Sequence, residues 1–514
     1  MKTALKQTRL FVAILMMFSL LLAACSGGNG NQPPAEGSKE SAGETASSKS
    51  NDELKPYEIV MVFAAGSEPK DLQLVQDEIS KITKEKMNAT VKLVPINYGA
   101  WVQQTMLMLS GNEKVDVILS GLGTYSQDVA KGYYLPLDDL IAQYGQGAKE
   151  ALDAQDPQFL DAAKIEGKLY GIPGVKDLAD EYGFTIRKDL VDKYKLDLSA
   201  VKSLDDLDPI LQTIKDNEPN MAPMTRYGNS LLDTISPAYM DPLGEGFGVL
   251  PNHDNGLQVV NWFETPEYAQ LLNTVRRWYT AGFIHKDIVT TTEYGPALVK
   301  AGKAASYLQH MKPGIEQQES RMTAHEMVSI RLKPAVATTG KIQRVLWSIP
   351  NNAKNPERSM MFINLLFTDK QIVDLLDWGV EGKHYVKVAD NVIDYPEGVD
   401  AANTGYGLNQ GWMFGNQFLS YVWNGTDSTI YEQMSKFNQD AIKSKALGFS
   451  FNAENVKTEI ASVTNVQNQF KNALETGTVD PATQLPEFIK QLKAAGIEKI
   501  IDEKQKQLDE WAKQ

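Results

Sequence analysis

Short apolar runs alternate with amphipathic segments over residues 57–120, and this order constrains the fold more than any other feature of the chain. The runs 57–63, 90–94 and 115–120 have the composition and length of buried strands. The segments between them carry apolar residues at helical spacing, the second of them over residues 101–109. A strand–helix–strand–helix–strand order predicts a parallel sheet with right-handed crossovers, and therefore an α/β fold.

The loops that follow these strands are the first places to expect a ligand, because ligands bind beyond the carboxyl ends of parallel strands. In this chain they are residues 97–100 and 120–126. The second loop contains Gly121 and Gly123, which would let backbone N–H groups approach a ligand closely.

The first 25 residues resemble the signal of a bacterial lipoprotein. Basic residues precede an apolar stretch, 11–22, and Ala23 and Ala24 lead to Cys25, the single cysteine of the chain. In lipoproteins the signal is cleaved before this cysteine, and two or three acyl chains then hold the protein stably on the outer face of the cell membrane. A plain secretory signal or a short membrane helix is the alternative, although the stretch is shorter than the ~20 residues that span a bilayer.

Residues 26–56 contain no aromatic residue and almost no aliphatic one, so residues 25–56 are expected to form a flexible tether. Loss of residues 1–24, which hold three basic and no acidic groups, would change the formal net charge from −14 to −17. An acidic chain is a poor candidate for binding nucleic acid. The remaining about 460 residues predict two or three domains whose stability comes from the core rather than from disulfides.

Later segments predict mainly helices. Thr265 before Pro266, and Asn355 before Pro356, are helix starts in which a capping residue precedes a proline. The tail, residues 486–511, has the pattern of one long amphipathic helix.

Residues 167–173, with the sequence GKLYGIP, resemble a segment of the extracellular solute-binding proteins (family 1) of ABC sugar importers. Further matching segments lie at 182–190, 264–287, 348–385 and 493–511. Together they are similar to the large oligosaccharide-binding lipoproteins of the aldouronate-transport type, over essentially all of residues 57–514.

This resemblance implies an α/β, two-lobed periplasmic-binding-protein-like (type II) fold with a hinge and an interlobe ligand cleft. Residues 57–178 with about 304–350 are expected to form the first lobe, and about 179–303 with 351–514 the second lobe and an extended C-terminal helical region. The implied function is capture of an oligosaccharide, with or without uronic acid, by lobe closure. The implied partner is the transmembrane part of an ABC permease, and the implied state is a monomer without a cofactor.

A saccharide site needs aromatic side chains that stack on ring faces and polar side chains that bond several hydroxyls. Tyr98 and Trp101 follow the second predicted strand, and Ser120 and Tyr125 lie in the loop after the third. All four are therefore candidates for ligand contact.

Two tryptophans lie next to glycines and outside any helical stripe. Trp412 follows a glycine in the segment GWMFG, and Trp423 lies in the segment WNG. Aromatic residues in such settings are candidates for stacking on a sugar, with core packing as the alternative. Trp262, Trp278 and Trp511 fit helix faces or ends, which favours core packing for each.

Polar candidates occur in loop-like segments. Asp180 and Glu181 resemble in position the acidic residue that binds sugar hydroxyls in related proteins, and a solvated loop charge is the alternative. If the sugar is a uronate, its carboxylate is expected at Arg226 or Lys312, since an arginine fork binds a carboxylate bidentately. The remaining candidates, in the same segment as the lysine, are Tyr307 and Gln309.

Other functions remain open from the sequence. The five histidines show no metal-ligand spacing, and we find no nucleophile elbow, phosphate loop or calcium loop, so no cofactor or metal is expected. A glycoside hydrolase needs only two carboxylates, however, and 65 acidic residues leave a secreted hydrolase or lyase open. A sugar-sensing lipoprotein that partners a membrane kinase shares every feature above.

Overall fold

The computed structural model describes residues 54–513, apart from residues 112, 292 and 294. The expected signal, the lipidation site Cys25 and nearly all of the expected tether lie outside the described residues. In the described part of the chain, none of the helices has the length and apolarity that a membrane span requires.

Five strands form the first sheet: β1 (Tyr57–Ala65), β2 (Ala89–Asn97), β3 (Val117–Gly121), β6 (Ile172–Pro173) and β12 (Val345–Ser348). Their order in space is β2–β1–β3–β12–β6, with β1, β2 and β3 parallel and β12 antiparallel to both of its neighbours. Helices α1 (Leu72–Met87) and α2 (Trp101–Ser110) connect the parallel strands. The predicted strand–helix alternation is confirmed.

The other elements of the first lobe lie around or beside this sheet. They are α3 (Tyr125–Ala130), α4 (Asp138–Tyr144), α5 (Gln146–Asp153), α6 (Pro157–Asp161), β4 (Lys164–Ile165), β5 (Lys168–Leu169), α13 (Pro356–Thr368), α14 (Lys370–Asp377), β13 (Val386–Ala389), β14 (Val392–Asp394), β15 (Val422–Trp423) and α15 (Ile430–Asp440). Helix α13 starts as predicted, because the Asn355 side chain accepts a hydrogen bond from the backbone N–H of Arg358. Phe63, Trp347 and Phe414 are fully buried in the core of this lobe.

Four strands form the second sheet: β7 (Asp180–Arg187), β10 (Ser306–Met311), β11 (Met327–Ala337) and β16 (Ile442–Lys443). Their order is β10–β7–β11–β16, and β7 is antiparallel to β10 and to β11. The surrounding elements are α7 (Lys188–Tyr194), α8 (Asp208–Asn217), β8 (Met240–Asp241), β9 (Leu250–Pro251), α9 (Pro266–Ala281), α10 (Gly295–Lys300), α11 (Ile315–Thr323), α16 (Lys457–Glu475), α17 (Pro481–Ala494) and α18 (Ile497–Trp511). A second core contains the predicted core residues Trp262 and Trp278, with Trp511 packed at its margin.

The chain passes between the two sheets three times. Residues 174–179 join β6 to β7, residues 338–344 join β11 to β12 through the short helix α12 (Thr339–Ile342), and residue 441 joins α15 to β16. We call these three segments the hinge crossings. Several strands that cross at one place provide the kind of hinge that the sequence resemblance implied.

The strand pairing differs from the expected lobe boundaries. Residues 304–350 were expected in the first lobe, yet β10 and β11 pair with β7 in the second sheet. Residues 351–440 were expected in the second lobe, yet α13 and α14 bury their apolar side chains in the first core. The physical reason is that strand pairing is a long-range property, which the hydrophobic periodicity of one segment does not encode.

The C-terminal tail forms two helices where the sequence predicts one. Pro486 lies inside α17, which ends at Ala494, and Gly496 then adopts a positive φ of 99° before α18 begins. Only glycine adopts this conformation readily, so Gly496 separates the two helices.

Candidate ligand-binding site

Two sheet edges meet at the hinge crossings, and we call the space between them the interlobe cleft. In the first lobe, β1, β2 and β3 end at this edge, and Val345 of β12 lies opposite Gly121 there. In the second lobe, β7 begins at this edge and β10 ends there, with Met311 opposite Glu181. The loops in which the sequence predicted ligand contacts therefore lie at the cleft.

A buried cluster of charged side chains occupies the hinge crossings. Lys341 Nζ lies 2.8 Å from Asp177 Oδ2 and 2.6 Å from Asp180 Oδ1. Lys176 Nζ lies 3.7 Å from Asp177 Oδ1, and Lys312 Nζ lies 4.0 Å from the same oxygen. Burial alone would raise the pKa of both carboxyl groups, but the nearby ammonium groups outweigh it and hold both pKa values below the usual range. Asp180 is therefore an anion at neutral pH.

His310 lies at the end of β10 beside this cluster. Burial lowers the pKa of His310 to about 4, against the opposing attraction of Asp180. The Tyr227 ring meets the imidazole edge-on, with ring centroids 6.2 Å apart. A neutral imidazole can donate and accept one hydrogen bond each, which suits a sugar hydroxyl. His310 lies in the same polar segment as the candidates Gln309 and Lys312, and this position is the sequence signal for it.

Glu181 lies on the other face of β7, although it follows Asp180 directly. Its Oε2 accepts from Arg331 Nε at 3.2 Å, and Arg331 Nη1 lies 2.5 Å from Glu316 Oε1. Successive side chains of a strand point to opposite faces, which separates the two carboxylates. Glu181 borders a cavity of about 260 Å³ whose lining also includes Ile430 and Gln433 of α15, so this cavity lies between the two lobes.

The aromatic candidates of the first lobe differ in exposure. Tyr98 lies in the turn after β2 and is 41 % exposed, whereas Trp101 is 5 % exposed and belongs to the first core. Tyr125 is buried and donates its hydroxyl to the carbonyl of Ala163 at 2.9 Å. Of these three residues, only Tyr98 presents a ring to solvent at the cleft.

Ser120 is the remaining candidate from the loop that the sequence predicts after the third strand. Its Oγ lies 2.6 Å from Ser348 Oγ, and the residue is buried between β3 and β12. A role in sheet packing accounts for this contact.

The two glycine-flanked tryptophans occupy different places. Trp412 lies in a short turn that runs beside the first hinge crossing, where the backbone N–H of Val175 donates to Gly415 at 2.8 Å. Trp412 is partly buried against the first core. Trp423 lies between Trp378 and Tyr395, with ring centroids 5.2 Å and 4.5 Å away. Trp412 is thus beside the hinge, and Trp423 belongs to a separate aromatic cluster.

The predicted partners of a uronate carboxylate are already engaged. The Arg226 guanidinium donates to the carbonyls of Gly228 at 2.9 Å and Asn229 at 2.8 Å, and also to the carbonyl of Thr291. Lys312 faces Asp177 of the hinge cluster. Neither Arg226 nor Lys312 therefore presents an unpaired group to a ligand carboxylate in the cleft.

Tyr307 and Gln309 are inside the second lobe. Tyr307 is fully buried and donates its hydroxyl to Glu319 Oε2 at 2.6 Å. Gln309 is fully buried and donates from Nε2 to Thr185 Oγ1 at 2.8 Å. The alternation along β10 places the Gln309 side chain on the face opposite to His310. The Tyr307 ring contacts the Tyr227 ring, with centroids 5.3 Å apart. Among the described residues, no group of three His, Cys, Asp or Glu side chains is placed to hold a metal ion.

Two α/β lobes, three hinge crossings and a polar cleft at the sheet edges define a two-lobed solute-binding protein. The chain belongs to the bacterial extracellular solute-binding protein family, whose model matches residues 61–373. Residues 445–513 match a second model, a domain of unknown function (DUF3502). The family assignment confirms the resemblance found in the sequence.

Relatives with a stated activity support this assignment. A carbohydrate ABC transporter substrate-binding protein of Streptococcus pneumoniae serotype 4 is 30 % identical over 501 residues, which cover 96 % of this chain and 95 % of that protein. The crystal structure of the N-glycan transport solute binding protein NgtS of Streptococcus pneumoniae has a TM-score of 0.80 at 28 % identity. The match covers 89 % of this chain and 99 % of NgtS.

The same NgtS protein is less similar in its glycan complexes. Its TM-score is 0.71 with Man1GlcNAc and 0.68 with Man5GlcNAc, at 27 % and 28 % identity. An extracellular solute-binding protein from Bifidobacterium longum subsp. infantis has a TM-score of 0.62 at 15 % identity, which supports the fold alone.

Proposed function

We propose that this protein is the substrate-binding component of an ABC importer and captures a neutral oligosaccharide, of the N-glycan type, between its lobes. The observation that carries this proposal is the ionised Asp180 at the cleft edge, next to the neutral His310. A carboxylate held by Lys341 is a fixed acceptor for sugar hydroxyls, because its charge and direction do not change when the sugar arrives.

Aromatic side chains at the cleft supply the second part of a saccharide site. Tyr98 from the first lobe, Trp412 beside the hinge and Tyr227 from the second lobe are the rings that we assign to stacking on sugar faces. A site of this kind binds by ring stacking and hydrogen bonds, and it needs no metal.

Arg226 and Lys312 already contact groups of the protein, and this favours a neutral ligand over a uronate. A uronate carboxylate needs an arginine fork or an unpaired lysine. Arg226 bonds backbone carbonyls of its own loop, and Lys312 faces Asp177, while Asp180 would repel a second carboxylate. NgtS, whose complexes hold mannose–GlcNAc glycans, is consistent with this choice.

Closure of the lobes is the binding step that we propose. The structure is more similar to NgtS without a named glycan than to NgtS with Man1GlcNAc or Man5GlcNAc, at nearly equal sequence identity in the three comparisons. A rotation of one lobe about the hinge crossings lowers overall similarity in this way while leaving each lobe unchanged.

We further propose that Cys25 anchors the protein to the outer face of the cell membrane and that residues 25–56 form its tether. The family is extracellular, and the lipoprotein-like signal supplies the anchor. A receptor held by a tether reaches its permease at a high local concentration. The partner that we assign is the transmembrane part of that permease, and the receptor acts as a monomer.

Calorimetric titration of the full chain tests this proposal. We expect binding of Man5GlcNAc and no binding of an oligogalacturonate of similar length, with the glycan recovered intact. Asp180→Asn should weaken glycan binding at least tenfold, or about 1.4 kcal/mol. Glu459→Gln, which removes a carboxylate of α16 that pairs with Lys499, is the control and should bind as the parent does. Preferential uronate binding, or glycan cleavage, would contradict the proposal.

A further inference from the structure

Residues 445–513, which match the domain of unknown function, are built into the second lobe. Phe488 of α17 packs on Phe263 with ring centroids 4.9 Å apart, and Lys504 of α18 is fully buried and donates to the carbonyl of Gly248. This segment therefore completes the second core and is not a separate module. One of its helices, α16, also reaches the cleft edge.

The segment that α16 reaches is the cleft loop, which we define as residues 228–234. The chain before it runs parallel to β10, with Thr225 opposite Tyr307 and the Thr225 N–H donating to Ser306 at 2.9 Å. Parallel neighbours end at the same edge, so the cleft loop emerges beside His310, where the interlobe cleft lies. Tyr227, which meets His310 edge-on, directly precedes the loop.

The cleft loop is organised around one carboxylate. Asp233 Oδ2 accepts hydrogen bonds from the backbone N–H groups of Asn229 at 3.0 Å and Ser230 at 3.2 Å. The Ser230 hydroxyl in turn accepts from the Asp233 N–H at 3.0 Å. These bonds fix the turn of the loop but do not by themselves fix its place in the lobe.

Helix α16 provides that attachment through two charged side chains one turn apart. Lys471 Nζ contacts Asp233 Oδ1 and lies 2.9 Å from Glu475 Oε2. Glu475 is fully buried, and its Oε2 accepts from the Ser230 hydroxyl at 2.6 Å. Tyr268 of α9 donates to the other carboxylate oxygen at 3.2 Å. Every oxygen of the two carboxylates is thus bonded.

We propose that Lys471 and Glu475 are positioning residues, which set the geometry of the cleft loop and thereby of the ligand-binding edge of the second lobe. The effect of these two residues on ligand binding rests on the proposed function. The network joins the buried Glu475 to the partly exposed Lys471 and Asp233. Charge-assisted hydrogen bonds of this kind fix the direction of a side chain, which an apolar contact does not. The segment of unknown function would therefore contribute to glycan recognition without touching the glycan.

Hydrogen exchange of the full chain, followed at individual amides, tests the positioning role without any ligand. In Lys471→Met we expect the amides of Asn229 and Ser230 to exchange at least tenfold faster, and in Lys471→Arg we expect near-parental rates. The control is Lys499→Met, which breaks the pair between α18 and Glu459 of α16, 3.1 Å apart, away from the loop. Unchanged loop exchange, or equal acceleration throughout the second lobe, would overturn the proposal.

Titration of the same variants with Man5GlcNAc separates this proposal from the proposed function. We expect Lys471→Met to bind at least fivefold more weakly and Lys499→Met to bind as the parent does. Faster loop exchange with unchanged affinity would overturn the role in recognition. If the parent itself binds no glycan, the proposed function fails, while the exchange rates still decide whether α16 positions the loop.

Discussion

Asp180 and Glu181 are neighbours in the chain, yet they belong to two ion clusters with opposite surroundings. Asp180 shares Lys341 with Asp177 in a buried cluster, where the lysine side chain is 6 % exposed. Glu181 shares Arg331 with Glu316 at the edge of a cavity, where the arginine side chain is 39 % exposed. The same charge chemistry should therefore matter far more on the Asp180 face, because an unpaired charge is costly only where water cannot replace the partner.

Removal of the central cation gives the largest expected effect. Lys341→Met leaves the buried Asp177 and the partly exposed Asp180 without their main partner, so the free energy of unfolding should fall by about 3–5 kcal/mol. Urea denaturation followed by circular dichroism measures this loss. Lys312→Met is the control, since its ammonium is partly exposed and 4.0 Å from Asp177, and it should cost less than about 1 kcal/mol. Equal losses in the two variants would show that the buried cluster is not centred on Lys341.

Acidification gives the next largest effect, through His310. Its pKa is about 4 in the folded chain against 6.5 for an ordinary histidine, so the unfolded chain takes up the proton first as the pH falls. Titration of His310 should therefore lower stability between pH 6.5 and 4, by up to about 2 kcal/mol at pH 5. Asp374 and Asp377 oppose this loss, because burial raises the pKa of the first to about 6 and of the second to about 7. The depressed pKa values of Asp177 and Asp180 add a further loss as the pH falls below about 4.

Unfolding curves measured at several pH values check this dependence. Relative to the parent, His310→Phe should remove the loss of stability assigned to His310 between pH 6.5 and 4, whereas His285→Gln, whose ring lies at the surface of the second lobe, should leave the profile as in the parent. A profile that keeps its slope in His310→Phe would assign the effect to another group.

The smallest effect is expected on the other face. Arg331→Met removes both ion pairs beside the cavity, but the remaining carboxylates are in contact with water, so the loss should stay below about 1 kcal/mol. Denaturation under the conditions used for Lys341→Met makes the two values comparable. If the free energy of unfolding of Arg331→Met fell by more than about 2 kcal/mol, the expected difference between the Asp180 and Glu181 faces of β7 would be wrong.

Local pattern was enough to predict much of the fold. The strands β1 to β3 are predicted by the periodicity of apolar residues, and the start of α13 is predicted by its capping residue. Both signals lie within a short stretch of the sequence. Local pattern does not predict the lobe to which β10 and β11 belong. That assignment depends on pairing with β7, which lies more than a hundred residues away in the chain. The fold class could therefore be predicted while the lobe boundaries could not.

The candidate site divides in the same way. The sequence indicated the loops at the cleft, but Trp101 and Tyr125 turn into the first core, since a loop position does not determine where a side chain points. Tyr182, Phe184 and Ile186 alternate in the sequence, and this period of two could have separated Asp180 from Glu181. The binding roles of Tyr98, Asp180 and Trp412 remain predictions.

The three hinge crossings also have a consequence for how the protein is made. Each core is assembled from pieces that are distant in the chain: the first needs residues up to 441, and the second needs Leu508. Segments synthesised early therefore lack the surfaces that would bury their apolar side chains, and domains fold only as complete units. We therefore expect a nascent chain with this topology to stay unfolded until synthesis is nearly finished.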